Sequence, residues 1–127
     1  MKKLLLLSAL LVSFSSFGQT KEIEVLNLDL LQGKWKSIDD QTNFLIFEGN
    51  QRKEISEGMN NWDEETFIVS DRCINGVDED RELTKEKDRY MSCLESDMCW
   101  YIVTLDSKTL IISYILRGND LTYTRVN

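Results

Sequence analysis

The run Asp71-x-Cys73-x-Asn75-Gly76, followed after five residues by Glu82, has the spacing of a twelve-residue EF-hand-type calcium loop. Such a loop surrounds a hard cation with carboxylate and carbonyl oxygens, uses a glycine for its sharp turn and ends on a bidentate glutamate. Two residues spoil the match. Cys73 occupies a position that must supply an oxygen, and sulfur is a poor ligand for Ca²⁺; Asp78 stands where a branched apolar residue belongs. The preceding run, Thr66 to Ser70, reads as a strand and not as an entering helix. Chance spacing in an acid-rich segment explains the pattern, and no metal is assigned.

The remaining chemistry is narrow. The chain has no histidine, which removes every mechanism built on imidazole as general base, proton shuttle or metal ligand. An enzyme would have to rely on carboxylates such as Asp39, Asp40 and Glu48 around the first hairpin, and exposed turn acids account for all three. No catalytic residue and no cofactor is expected. Tyr123 and Arg125 share one face of the last strand at period two, where together they could hold a carboxylate by charge-assisted hydrogen bonds.

Three cysteines complete the reactive set, Cys73, Cys93 and Cys99. In an oxidising compartment they give one disulfide and one leftover thiol, and three pairings are open. Cys93 with Cys99 would staple a tight hairpin and remove little unfolded-state entropy. A bond from Cys73 to either partner would instead clamp the charged segment between them, worth about 3 kcal/mol in the chain-entropy picture. The reading favours Cys73 with Cys99. A reactive thiol would need a basic neighbour, and only Arg72 is near in sequence, while Glu95 and Asp97 surround the other two.

The compartment is indicated by residues 1–18. Lys2 and Lys3 precede an apolar run from Leu4 to Val12 broken only by Ser8, then small and aromatic residues to Gly18, the pattern of a secretory signal peptide cleaved after Gly18. Ser13, Ser15 and Ser16 interrupt the stretch before it could serve as a membrane-spanning anchor. The mature chain, residues 19–127, is expected to be exported to the periplasm or medium, soluble, a monomer and one domain. Losing two lysines takes 15 basic residues to 13 against 22 acidic, so the formal charge of −7 becomes −9. That balance argues against nucleic acid and anionic lipid surfaces as partners.

The elements that must position these residues are short. Val25 to Leu31 approach helical spacing, with Asn27 or Asp29 as cap and Gly33 as terminator, which predicts a brief helix. From Lys34 onward, runs rich in β-branched and aromatic residues predict strands near 34–38, 42–48, 51–56, 65–73, 89–93, 99–105, 109–116 and 121–126. With no proline in the chain, the turns fall to Gly, Asn and Asp, as in Glu48-Gly49-Asn50, Asp106-Ser107-Lys108 and Arg117-Gly118-Asn119-Asp120. Links of this length force antiparallel neighbours. Residues 77–88 are almost wholly charged and read as a solvated loop or a short surface helix.

The fold class is therefore all-β, an antiparallel meander of about eight strands closing into a small barrel after a short N-terminal helix. Closure requires the first and last strands to meet. Trp35 and Arg125 would then stack, a cation–π contact of about 0.5–2 kcal/mol that seals one end.

From residue 31 to the end the chain resembles the lipocalin-like families of the calycin superfamily. Gly33-Lys34-Trp35 matches their Gly-x-Trp motif and Arg125 their arginine near the C-terminus, and the part from Leu105 to Val126 is similar to small exported lipocalin-like proteins of bacteria. At 109 residues the mature chain is shorter than a typical lipocalin, which predicts a shallower cavity. The resemblance implies structural closure by Gly33, Trp35 and Arg125 and the binding of a small apolar or amphipathic ligand in the barrel mouth. Its candidate lining residues are Phe44, Phe67, Trp100, Tyr114 and Tyr123, with Arg125 as a candidate anchor in the manner of the fatty-acid-binding relatives. There, however, the tyrosine follows the arginine, and the reading favours a structural Arg125. The alternative is a protein-binding barrel, such as a protease inhibitor, without a small-molecule ligand.

Overall fold

Strict alternation of side chains decides which residues fill a barrel and which face out, and here the hairpin registers fix it. The computed structural model describes residues 25–58, 62–75 and 84–127. Eight antiparallel strands follow one another as β1 (Gly33–Ser37), β2 (Asn43–Glu48), β3 (Gln51–Ser56), β4 (Asp63–Ser70), β5 (Tyr90–Cys93), β6 (Met98–Leu105), β7 (Thr109–Tyr114) and β8 (Asp120–Val126). Each pairs with the next in sequence, and β1 pairs with β8 to close the barrel. Residues 1–18, expected to be a signal peptide, and most of the charged run after Val77 lie outside the described residues.

The inner face reads in rows of register partners. Trp35 faces Leu45, Leu45 faces Glu54, and Glu54 faces Asp63. Farther round, Val69 faces Met91, Met91 faces Trp100, and Trp100 faces Tyr114. Trp35, Leu45, Met91, Ile102, Leu110 and Ile112 are fully buried and form the centre of the core. In β6 the register slips between Ile102 and Thr104, a bulge that lets Ile102 and Leu105 both pack into the core. Arg89 serves the bulged backbone, its Nη1 donating to the carbonyls of Ile102 at 2.7 Å and Val103 at 3.1 Å.

The segment expected as a helix makes one 3₁₀ turn, Leu28–Leu31, with the Asn27 side chain accepting from the Asp29 N–H. Gly33 does not end it: Gln32 is its C-cap and Gly33 opens β1. With Leu26 and Leu31 buried in the core, the turn plugs the barrel end where β1 starts and β8 finishes.

The fourth strand stops at Ser70, short of the expected 73, because Cys73 leaves the sheet to reach the outside of β6. A disulfide joins Cys73 to Cys99, with 6.0 Å between Cα atoms. Around it Tyr90, Tyr101 and Ile115 form a second small core on the barrel exterior, with the two tyrosine rings edge to face at 5.4 Å. This cover explains why all four residues of β5 are buried although only alternate ones point inward.

Candidate functional site

The two ends of the barrel differ in chemistry. At the plugged end Trp35 is buried, and its indole N–H donates to the Leu31 carbonyl at 2.9 Å. Arg125, its register partner on β8, lays its guanidinium 4.2 Å from the centre of the indole ring. The same guanidinium donates to the carbonyls of Ser107 at 2.8 Å, Gln32 at 2.9 Å and Leu30. A cation so engaged by three backbone carbonyls from two segments, the 3₁₀ turn and the β6–β7 turn, is a structural rivet, not an anchor for a ligand carboxylate.

The opposite end is open. Between the start of β4, the β5–β6 turn and the start of β6 lies a recess of about 440 Å³ lined by Arg52, Glu54, Asp63, Glu65, Met98 and Trp100 among others. A second lobe of about 290 Å³, toward β7 and β8, is lined by Met98, Trp100, Tyr114, Leu121, Arg117 and Asn119. Met98 and Trp100 are common to both, so the two lobes share a wall. Trp100 and Tyr114 meet with ring centres 5.2 Å apart at a 45° tilt.

The polar lobe is organised by Arg52. A two-residue turn, Gly49-Asn50, sets Arg52 opposite inward-facing Phe47, so the guanidinium is carried to the interior and is only 6% exposed. Glu54 and Glu65 flank it, each with an oxygen 3.6 Å from a guanidinium nitrogen, and the centre of the Trp100 ring lies 6.0 Å from the guanidinium carbon. Glu65 is held in turn by Ser96, whose backbone N–H and hydroxyl both donate to it, and Glu54 accepts from Asn43. Arg52 Nε is buried and makes no hydrogen bond.

Below the recess the interior is filled by buried side chains. Cys93 is fully buried, and burial pushes its thiol up to about 11. Tyr123, 4% exposed, is pushed up to about 12, again chiefly by burial. Both stay protonated at neutral pH.

The residues proposed from sequence are thus dispersed. Trp100 and Tyr114 stand together at the open mouth. Phe67 packs in the core, edge to face on Phe47 at 5.3 Å, and Tyr123 is a core residue too. Phe44 is on the outer face, because its neighbour Leu45 points inward, and the Lys34 ammonium sits 4.5 Å from its ring centre. Arg125 is at the other end altogether. Cys73 of the calcium-like run is locked in the disulfide, and Asn75 donates to the Met98 carbonyl; Gly76 and Glu82 lie outside the described residues. Arg52, Glu54, Glu65, Met98 and Leu121 were not singled out by sequence, although the two-residue β2–β3 turn carried the register that points Arg52 inward.

No protein-family model, curated protein or solved structure matches the chain.

Proposed function

We propose that the chain is an exported, non-enzymatic binding module of the lipocalin-like type that takes a small amphipathic molecule into its open end. One observation carries this reading: a barrel riveted shut at one end by Trp35 and Arg125 leaves at the other a two-lobed recess, one lobe apolar and one charged, with Trp100 and Met98 between them. Recesses of a few hundred Å³ with convergent polar groups suit small ligands. The Gly33-x-Trp35 motif and Arg125 support the lipocalin-like assignment, and the basic-then-apolar leader together with the Cys73–Cys99 disulfide supports export.

Titration with the uncharged dye Nile red tests it. Saturable one-to-one binding is expected, weakened about tenfold or more by Trp100→Ala and by Leu121→Glu. Binding that both variants leave unchanged puts the site elsewhere and refutes the reading. A protein-binding role draws support from Ile68, Ile74 and Leu94, which are 41%, 46% and 44% exposed. They gather on the outer face around Ser92, which pairs with Ile68 and accepts from the Ile74 N–H. A stable protein partner masking Ile68, with no dye binding, would favour that role.

A further inference from the structure

We infer that the apolar lobe of the mouth takes a flat aromatic group of about two fused rings and turns a long acyl chain away. This rests on the proposed binding role and names its ligand class. The depth of the lobe is the first observation. Alternate residues of a strand share a face, so the inner side chains one step below Trp100, Tyr114 and Leu121 are Ile102, Ile112 and Tyr123. Ile102 and Ile112 are register partners and fully buried, and Tyr123 is a core residue beside them. This packed layer is a floor that closes the barrel axis to a chain entering from the mouth. A chain that outgrows the lobe must turn toward Arg52 and Glu54 in the charged lobe or back into water, and its further methylenes gain no apolar burial. A cavity of about 150 Å³ accepts one benzene ring, so a lobe of about 290 Å³ suits two.

The chemistry of the wall is the second observation. Two aromatic rings, Trp100 and Tyr114, and the Met98 thioether make most of it, with Leu121 as its aliphatic member. A flat ring laid against them gains aromatic and sulfur contacts that a saturated body of the same size does not. The Trp100 ring is already held in place, only 7% exposed, with its centre 5.2 Å from that of Tyr114 and 6.0 Å from the Arg52 guanidinium carbon. Little ordering of the wall therefore offsets the gain when a ligand enters.

Uncharged alcohols test shape and length separately on the mature protein. 2-Naphthol and decahydro-2-naphthol share a carbon skeleton and a hydroxyl, one flat and aromatic, the other saturated. Calorimetry is expected to show 2-naphthol bound about fivefold tighter. Tyr114→Leu changes a half-buried side chain, and should cut that preference to about twofold while leaving the saturated bicycle close to its wild-type affinity. The straight-chain alcohols from hexanol to dodecanol, measured by displacement of Nile red, should gain about fourfold in affinity per methylene until the chain holds about as many carbons as naphthol, and nothing beyond. A saturated bicycle bound as tightly as 2-naphthol, an affinity that keeps climbing to dodecanol, or Nile red binding without any binding of 2-naphthol overturns the ligand class and leaves the mouth a binding site. If none of the alcohols binds and Nile red does not bind either, both readings fall.

Discussion

A Cβ placed on Gly33 would fall 2.7 Å from Arg125 Nη1, so the glycine leaves the space that the arginine occupies. Gly33 also has φ +120°, a backbone conformation that side-chain-bearing residues rarely adopt. Sequence motif, strand seam and cation–π contact are thus one arrangement. Gly33→Ala should destabilise the fold by about 2 kcal/mol, and Arg125→Ala by about 2–4 kcal/mol through loss of the ring contact and of charged hydrogen bonds. The double variant should cost less than the sum, because removing Arg125 relieves the clash. Urea unfolding of the four proteins measures this, and strict additivity would show that the contact does not constrain residue 33.

The Cys73–Cys99 disulfide closes a sequence separation of 26, for which the chain-entropy estimate is about 3.5 kcal/mol. Cys73→Ala/Cys99→Ala should lower the melting temperature by well over 10 °C for a domain of this size. Reducing agent should do the same to the wild type and nothing further to the variant.

Cys93 should behave as a buried apolar side chain. Fully buried and with its thiol pushed up to about 11, it should resist a maleimide at pH 8 in the native state and react at once in denaturant. Modification of the native protein at the rate of a free thiol would show that the interior opens to solvent.

Asp106 turns the chain between β6 and β7, its Oδ1 accepting from the backbone N–H groups of Lys108 at 2.8 Å and Thr109 at 2.7 Å. Those bonds hold its carboxyl below the usual carboxylate value. A depressed folded-state value means that the stabilisation is present above about pH 3.9 and is lost as pH falls through the lower value. The stability gap between wild type and Asp106→Ala should therefore be steady near neutrality and narrow in acid. A gap independent of pH down to pH 2 would mean that the carboxylate charge contributes nothing to the turn.

The strands were legible from the sequence because each is short, rich in β-branched or aromatic residues, and bounded by Gly, Asn or Asp. The seam was legible because closure leaves Trp35 and Arg125 no other place to meet. The mouth was not. β2 is apolar on both faces, so Phe44 and Leu45 look equally inward until the register is fixed, and Phe44 turned out. β3, Gln51–Ser56, has no apolar residue on its inner face, and its only aliphatic, Ile55, points outward beside Phe44. A strand that brings Arg52 and Glu54 to a barrel interior looks in sequence like a solvated edge. Where β4 ends is equally hidden in the sequence, because the strap carrying Cys73 is drawn off the sheet by long-range contacts, the disulfide to Cys99 and the hydrogen bonds of Ile74 and Asn75 to Ser92 and Met98.

Seven of the eight strand pairings join neighbours along the chain, and the eighth, β1 with β8, brings together residues as distant as Lys34 and Val126. Hairpins of the first kind form with little loop entropy to overcome, while zipping β8 onto β1 must wait until the whole ribbon has curled. Assembly is thus expected to finish at the seam, and weakening that seam should shorten the lifetime of the folded molecule more than it delays its formation.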